Sequence, residues 1–345
     1  MHCFSRLTDL TDPVALSTIL GPILHVRDEA MTTVGFATSS HRRLVAEFAD
    51  GHEESFVCKQ TSPRTEWMAI RTRDTRGREL AILEEPSLAA IWQCVSSPYV
   101  ACANEDGTTA LLMRDLSAHL LPDVRAPLQV DQEIALLSVL ARLHARFWGV
   151  EIAPACLARS EDFVELIGPH CAESASFEAI PVLLRERIAT GWTHVKRLAP
   201  PGVTTLLEMT PADVVHEFFG GPKTIVHGDA KVANFAIDSR SSTVWAFDWA
   251  IAGYAPAGVD LGWYLSVNGS RIAETKEAAI ARYRARLEAE RGRVLSESDW
   301  TTLERCAVMS GSLMGLWSKA MLLESNVPNA DREWAWWIER LDALV

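Results

Sequence analysis

The feature that most constrains this chain is a polar loop enclosed by short apolar runs in its second half. Residues 224–226, 235–237 and 244–247 are runs of β-branched, aromatic and small side chains, a pattern typical of buried strands. Residues 227–234, His-Gly-Asp-Ala-Lys-Val-Ala-Asn, join the first run to the second, and Asp248 directly follows the third. Because chemically active side chains often lie on loops held by a rigid scaffold, we interpret these polar residues as a candidate site.

The loop carries the side chains that phosphoryl transfer requires. This reaction needs a carboxylate that orients and deprotonates an acceptor hydroxyl, oxygen ligands for magnesium, and cations beside the phosphates. Asp229 is the candidate carboxylate, and Asn234 and Asp248 are the candidate magnesium ligands. Lys231 is a candidate for stabilising charge on the transferred phosphoryl group, with a solvated loop lysine as the alternative.

The combination of His227-Gly228-Asp229, Asn234 and Asp248 resembles the aminoglycoside phosphotransferase and choline kinase branch of the protein-kinase-like fold. Residues 143–148 and the His-Gly-Asp-Ala-Lys run resemble the ecdysteroid-kinase-like and CHK-like subfamilies. The resemblance implies an α+β fold with two lobes, a small β-rich N-terminal lobe and a larger, mainly helical C-terminal lobe. We place these lobes at residues 1–113, for nucleotide binding, and 114–345, for catalysis and acceptor binding.

The resemblance also implies a nucleotide site in the first lobe. Lys59, at the end of a strand-like run, resembles the lysine that holds the α- and β-phosphates, and Glu79 resembles its ion-pair partner. Residues 111–116 resemble the hinge whose backbone hydrogen-bonds adenine, which implies nucleotide contacts at Met113 and Arg114. ATP and Mg²⁺ are the implied cofactors.

The predicted phosphate loop, residues 34–40, departs from the family pattern. It contains one glycine, Gly35, where protein kinases have a glycine-rich run. Backbone N–H groups and small hydroxyl side chains can still line a phosphate, so Gly35 and Ser39 are the candidate contacts.

Three further polar residues are interpreted as structural. His227 is expected to brace the loop through backbone hydrogen bonds and not to act as a base. His144 lies on the apolar stripe of a predicted helix and is expected to be a satisfied core histidine. Asp260 resembles the aspartate that supports the catalytic loop from a following helix.

The remaining chain predicts one helix in an otherwise β-rich first part and mostly helices afterwards. Asp50-Gly51 indicates a hairpin turn, and residues 71–85 predict a helix that Pro86 ends. Later helices are predicted at residues 131–148, 272–291 and 331–344, and another begins at the capping pair Ser296 and Asp299.

Composition narrows the possible partners. The net charge of −12 argues against nucleic acid, and no apolar run reaches the length of a membrane span. Seven cysteines without a Cys-x-x-Cys pair argue against a disulfide framework and a zinc ribbon, so a reducing cytoplasm is expected. The oligomeric state is left open.

The sequence therefore predicts an ATP-dependent O-phosphotransferase that acts on a hydroxyl of a small molecule. The expected acceptor is an antibiotic such as an aminoglycoside or macrolide, or another hydroxylated metabolite. Eight of the twelve tryptophans lie from Trp245 onward, and this Trp-rich region favours a bulky or partly apolar acceptor. Helix packing explains most of these tryptophans, and Glu324, Asp331 and Glu333 are candidate anchors for an amine, with a solvated helix face as the alternative. A nucleotide-binding pseudokinase is the alternative function. A protein acceptor is disfavoured, because only eleven residues separate Asp248 from Asp260.

Overall fold

The structure is a computed structural model that describes residues 1–31, 36, 38–122, 126–152 and 154–345. The predicted phosphate contact Gly35 lies outside the described residues.

A six-stranded sheet occupies the first third of the chain. Its spatial order is β1-β5-β6-β4-β3-β2, and all neighbouring strands are antiparallel except β1 and β5, which are parallel. The strands are β1 (His2–Phe4), β2 (Ile23–Ala30), β3 (Ser40–Phe48), β4 (Glu53–Thr61), β5 (Tyr99–Glu105) and β6 (Thr108–Arg114). The sheet ends at Arg114, and the division into two lobes at this point stays a prediction.

Helices and two small strand pairs make up the rest. The helices are α1 (Pro13–Leu20), α2 (Trp67–Arg71), α3 (Arg78–Glu84), α4 (Ile91–Cys94), α5 (Val130–Arg146), α6 (Ser160–Glu165), α7 (Val182–Leu198), α8 (Pro201–Leu207), α9 (Pro211–Phe218), α10 (Gly258–Val267), α11 (Lys276–Arg291), α12 (Glu297–Glu324) and α13 (Ala330–Asp342). The short strands are β7 (Lys223–Val226), β8 (Phe235–Asp238), β9 (Thr243–Ala246) and β10 (Gly253–Pro256). A sheet followed by a mainly helical region confirms the predicted α+β class.

The alternation of side chains along β4 determines to which face of the sheet Lys59 points. Phe56 and Cys58 pack on one face of the sheet, in a core formed with α1 and the neighbouring strands. Because successive side chains of a strand point to opposite faces, Lys59 points to the other face. That face is covered by α3, where Glu79 lies.

Pairing of the short strands explains the spacing of the candidate site residues. The antiparallel pair β8–β9 aligns Phe235 with Ala246, so Asn234 and Phe247 become neighbours, and the Phe247 amide donates to the Asn234 carbonyl at 3.1 Å. The pair β7–β10 aligns Val226 with Gly253 in the same way. The loop at residues 227–234 therefore begins and ends at fixed points.

Close packing of α10 against α12 supports the loop at residues 227–234. A Cβ atom on Gly262 would lie 2.1 Å from the Ala307 carbonyl oxygen, so only glycine permits this approach of the two helices. Among the described residues, α12 is also a helix long and apolar enough to cross a membrane, but 72% of its apolar window is buried in the protein. Its position is that of a core helix.

Two sequence predictions about the first part were wrong. Residues 71–85 are not one helix: α2 ends at Arg71 and α3 begins only at Arg78, because Arg73 adopts a left-handed φ of 55° and the Asp74 carboxylate accepts hydrogen bonds from the Gly77 and Arg78 amides. The described part before Arg114 contains four α-helices, where the sequence predicted one. The later helices, including the Ser296 cap that accepts from the Asp299 amide, were predicted to within a few residues.

Candidate active site

Both carboxylate oxygens of Asp229 are held by donors. The indole Nε1 of Trp263, on α10, donates to Oδ1 at 2.7 Å. Oδ2 accepts from Lys231 Nζ at 2.7 Å and from Asn234 Nδ2 at 2.9 Å. The carboxylate is 6% exposed and is therefore fixed in one orientation while one edge stays open to solvent.

The fully buried Asp260 holds the start of the loop. Its two carboxylate oxygens accept the backbone amides of His227 and Gly228, each at 2.7 Å. His144 Nε2, on α5, lies 3.1 Å from the same carboxylate, and its Nδ1 lies 2.6 Å from the Tyr283 hydroxyl. His144 is thus a satisfied core histidine, as predicted, and it joins α5 and α11 to the support of the loop.

His227 uses both ring nitrogens inside the protein. Nε2 lies 3.1 Å from the Phe247 carbonyl oxygen, which can only accept, so this nitrogen carries the proton. Nδ1 accepts the Asp229 amide at 3.3 Å. Neither nitrogen is free to act as a base, which agrees with the predicted bracing role.

Gly228 is required by its backbone conformation. Its φ is 81°, in the left-handed region, and a Cβ atom there would lie 2.1 Å from the Ile251 carbonyl oxygen. The loop therefore passes close to the chain that leads from Asp248 into β10.

Asn268, just after α10, holds the middle of the loop, and sequence reasoning missed it. Its Oδ1 accepts the Val232 amide at 2.9 Å, and its Nδ2 donates to the Ala230 carbonyl at 3.1 Å. The contact of Trp263 with Asp229 was also not predicted, although Trp263 is one of the eight tryptophans from Trp245 onward. No local motif signals either contact, since both depend on how α10 docks.

Lys59 joins the sheet to the second half of the chain. Its Nζ lies 2.6 Å from Glu79 Oε2 and 2.7 Å from Asp248 Oδ1. Glu79 Oε1 in turn accepts the Tyr99 hydroxyl at 2.5 Å and the Asp248 amide at 3.1 Å. The structure thus brings Lys59, Glu79 and Asp248 together, and it adds Tyr99, which sequence reasoning missed.

These contacts fix the charges of the site. Burial favours the neutral form of Lys59, but the Asp248 and Glu79 carboxylates outweigh it and raise its pKa. Burial likewise acts to raise the pKa of Asp248, but Lys59 and Lys231 outweigh it and lower that pKa well below its usual range. The Lys231 pKa is raised by Asp229 and Asp248 against the effect of burial. At neutral pH the centre therefore holds charged lysines and an ionised Asp248.

The predicted magnesium ligands form a suitable oxygen set. Asp248 adopts a left-handed φ of 63° directly after the β8–β9 pair, and its Oδ2 lies 3.9 Å from Lys231 Nζ. The side chain of Asn234 uses only its Nδ2 atom in hydrogen bonds with the described residues, so its Oδ1 is available. One anionic and one neutral oxygen on adjacent backbone fit a hard divalent cation.

The predicted nucleotide contacts fall into three groups. Ser39 lines the same cavity as Lys59, Glu79 and Asp248, so the structure brings it to the site. Met113 and Arg114 end β6, where the Arg114 amide donates to the Pro98 carbonyl at 2.9 Å. Gly35 lies outside the described residues.

The candidate amine anchors on the last helices do not act together. Glu333 is paired with Lys276 and lies 3.5 Å from Lys319 Nζ, so two lysines already neutralise it. Glu324 lies 2.6 Å from Arg197 Nη2, and Asp331 is exposed. The charge of Glu333 is thus already compensated inside the protein, and a role of these residues as amine anchors stays a prediction.

Solved structures share this architecture. The chain is similar to a choline kinase from Cryptosporidium parvum Iowa II, with a TM-score of 0.54 at 9% identity over 98% of this chain and 94% of that chain. It is also similar to a Plasmodium vivax ethanolamine kinase, with a TM-score of 0.51 at 12% identity over 97% of this chain and 83% of that chain. At these identities the likeness concerns the fold alone, and it confirms the protein-kinase-like fold.

Sequence comparison identifies the family. No curated protein matches the chain. Residues 37–295 match the phosphotransferase enzyme family, and this segment includes both the Lys59–Glu79 pair and the loop around Asp229. With the match extending over well more than half of the 345 residues, the chain belongs to the phosphotransferase enzyme family.

Proposed function

We propose that this protein transfers the γ-phosphate of ATP to a hydroxyl group of a small molecule. The observation that carries the proposal is the arrangement of Asp229, which three donors orient in a loop beside the half-buried Lys59–Asp248 ion pair. A carboxylate fixed next to cations and a pair of oxygen ligands is the arrangement that phosphoryl transfer needs.

Asp229 is the proposed base. It would accept the proton of the acceptor hydroxyl while that oxygen bonds to the γ-phosphorus and the bond from phosphorus to the β-phosphate oxygen breaks. The products are a phosphate monoester and ADP, and the proton passes from Asp229 to solvent. Lys231, 2.7 Å from Asp229 and 36% exposed, is placed to offset negative charge beside the base.

Asn234 and Asp248 are the residues that would hold magnesium. When bound, the ion would neutralise charge on the phosphates. The low pKa of Asp248 keeps its carboxylate ionised at neutral pH, as a metal ligand requires. On the nucleotide side, Lys59 would bind phosphate oxygens while Glu79 and Tyr99 keep its side chain in place.

We propose that adenine also contacts a residue that follows the predicted Met113 and Arg114. The Arg114 amide is already used by Pro98, and the Asp115 amide donates to the Ser55 carbonyl at 3.1 Å. The Leu116 amide, by contrast, makes no hydrogen bond with the described part of the chain. An adenine base in this position would therefore hydrogen-bond the Leu116 amide together with backbone groups of Met113 and Arg114.

The pseudokinase alternative has no supporting observation. Pseudokinases usually lose the nucleotide lysine, the base or a metal ligand, and this chain keeps all of these. The Lys59–Glu79 pair is also closed, at 2.6 Å. The acceptor class and the cytoplasmic location stay predictions.

The function is tested by ADP release in the presence of MgATP and a panel of acceptors. The panel would contain an aminoglycoside, a macrolide, choline, ethanolamine and a hydroxylated steroid. We expect at least one compound to stimulate ADP release well above the rate without acceptor, together with a phosphorylated product seen by mass spectrometry. Tight ATP binding with no acceptor-dependent turnover across a broad panel would favour the pseudokinase instead.

Trp263 is proposed to position the base through its indole N–H. Trp263→Phe keeps the ring and removes the hydrogen bond to Asp229 Oδ1, so we expect kcat to fall about 10-fold, with KM for ATP unchanged. Trp192→Phe is the matched control, since it removes an indole hydrogen bond to the Ile167 carbonyl away from the site. Equal effects of the two variants would reduce Trp263 to a packing residue.

A further inference from the structure

A group of two thiols and a carboxylate lies on the sheet, away from the phosphoryl-transfer centre. Cys3 on β1 and Cys102 on β5 are direct neighbours in the parallel pairing of these strands. Glu84 is the last residue of α3, which packs on the same face. The two sulfur atoms and a Glu84 carboxylate oxygen all lie within 4.8 Å of one another.

This geometry suits one metal ion. Zinc binds thiolate sulfur at roughly 2.3 Å and carboxylate oxygen at roughly 2.0 Å, so its ligand atoms stand roughly 3.5–3.8 Å apart in a tetrahedron. Three atoms already within 4.8 Å reach that spacing by side-chain rotation, without movement of the strands. Cys3 and Glu84 are exposed, so the ion has a direct path from solvent, and water can supply the fourth ligand.

The charge around Glu84 also favours a cation. The end of a helix carries the partial negative charge of its last carbonyl groups, and Glu84 adds a full negative charge there. Within the described ranges, no lysine, arginine or histidine forms a salt bridge with Glu84, whereas Asp28, Glu53, Glu54, Glu79 and Asp115 each have a basic partner. The thiols donate only weakly, with Cys102 Sγ 3.5 Å from the His2 carbonyl oxygen.

We propose that Cys3, Cys102 and Glu84 form a binding site for a divalent cation of the zinc class. The mixed sulfur and oxygen set selects such a borderline-soft ion over magnesium, which prefers oxygen ligands alone. Binding releases the two thiol protons, because the ligands are thiolates.

The site connects β1 to two elements whose residues also hold Lys59 in place. Helix α3 bears Glu79, which pairs with Lys59, and β5 bears Tyr99, which donates to Glu79. An ion at Cys3, Cys102 and Glu84 would fasten β1 and β5 to the end of α3. Metal binding therefore stabilises the sheet and holds α3 in the position where Glu79 meets Lys59.

The test uses the full, reduced protein and Cd²⁺, whose bonds to thiolate sulfur give an ultraviolet charge-transfer absorption. We expect one Cd²⁺ per chain. Cys3→Ser should lower the absorption by about half and the affinity at least 10-fold, and Glu84→Gln should weaken binding while keeping the absorption per bound ion. Both changes are at exposed side chains, so folding should be retained. Cys94→Ser, at a buried cysteine outside the group, is the matched control and should bind as the wild type does.

A thermal measurement provides a second readout that does not depend on activity. Stoichiometric Zn²⁺ should raise the unfolding midpoint of the wild type and of Cys94→Ser, but not that of Cys3→Ser. The proposal fails if the wild type shows no thiolate absorption with Cd²⁺, or if Cys3→Ser keeps the full absorption and affinity of the wild type. It also fails if the isolated protein contains a Cys3–Cys102 disulfide and is therefore two hydrogens lighter than the reduced chain. The pair would then be a covalent link and not a metal site.

Discussion

Replacement of Asp229 by Asn is expected to lower the rate of phosphoryl transfer by about 10²–10⁴-fold, the contribution typical of a positioned general base. Asparagine keeps the shape of the side chain but cannot accept a proton from the acceptor. Its amide oxygen can still accept hydrogen bonds from one side, either from Trp263 or from Lys231 and Asn234. The amide N–H₂ then faces the other donors, so a small loss of stability accompanies the loss of turnover.

Single-turnover kinetics and nucleotide binding together check this result. The variant should bind ATP with nearly wild-type affinity, since Asp229 lies on the acceptor side of the centre and Lys59 is untouched. Asp342→Asn, at an exposed aspartate at the end of α13, is the control and should keep full activity. Full turnover by Asp229→Asn would remove the base from the proposed mechanism and leave only a positioning role for the loop.

Replacement of Asp260 by Ala is expected to lower the free energy of unfolding by about 3–5 kcal/mol. The carboxylate is fully buried and accepts the His227 amide, the Gly228 amide and a ring nitrogen of His144. Alanine leaves these donors without a partner in a dry interior, and each buried unsatisfied donor costs about 1–3 kcal/mol. Because the same amides orient Asp229, activity should fall in the fraction that remains folded.

Urea unfolding of Asp260→Ala, Asp260→Asn and the wild type measures the effect. Asparagine keeps one acceptor oxygen and should recover part of the stability. Asp331→Ala is the surface control and should change the free energy of unfolding by no more than about 0.5 kcal/mol. If Asp260→Ala also changed the free energy of unfolding by no more than about 0.5 kcal/mol, His144 and the loop amides would have found other hydrogen-bond partners. The bracing role of Asp260 would then be wrong.

The sequence was sufficient for the parts of the site that depend on neighbours along the chain. The resemblance to a known family identified Lys59 at the end of its strand, and the short strands around the loop bring Asn234 and Asp248 together through a simple antiparallel register. The structural roles of His227 and Asp260 beside the loop, and of His144 as a satisfied core histidine, were also predicted and agree with their hydrogen bonds. Local rules sufficed here, because a hairpin of fixed length leaves little freedom in where its ends meet.

Predictions failed where a local cap competed with helix propensity. Residues 71–85 are rich in helix-forming side chains, yet Asp74 accepts the Gly77 and Arg78 amides and divides the segment. Side chains of Asp can satisfy backbone amides outside a helix as well as at its start, so composition alone does not decide between one helix and two.

Only the tertiary structure decided the contacts between distant elements. Trp263 donates to Asp229 because the glycines on α10 let that helix approach α12 closely, which fixes the direction of the indole. Glu333, expected as an anchor for a substrate, meets Lys276 and Lys319 when α13 folds back. The sequence by itself thus determined the candidate site residues and their order, through short-range spacing and the resemblance to a known family. The orientation of the base and the neutralisation of charges were decided by helix docking, because these depend on distances between residues that no local pattern relates.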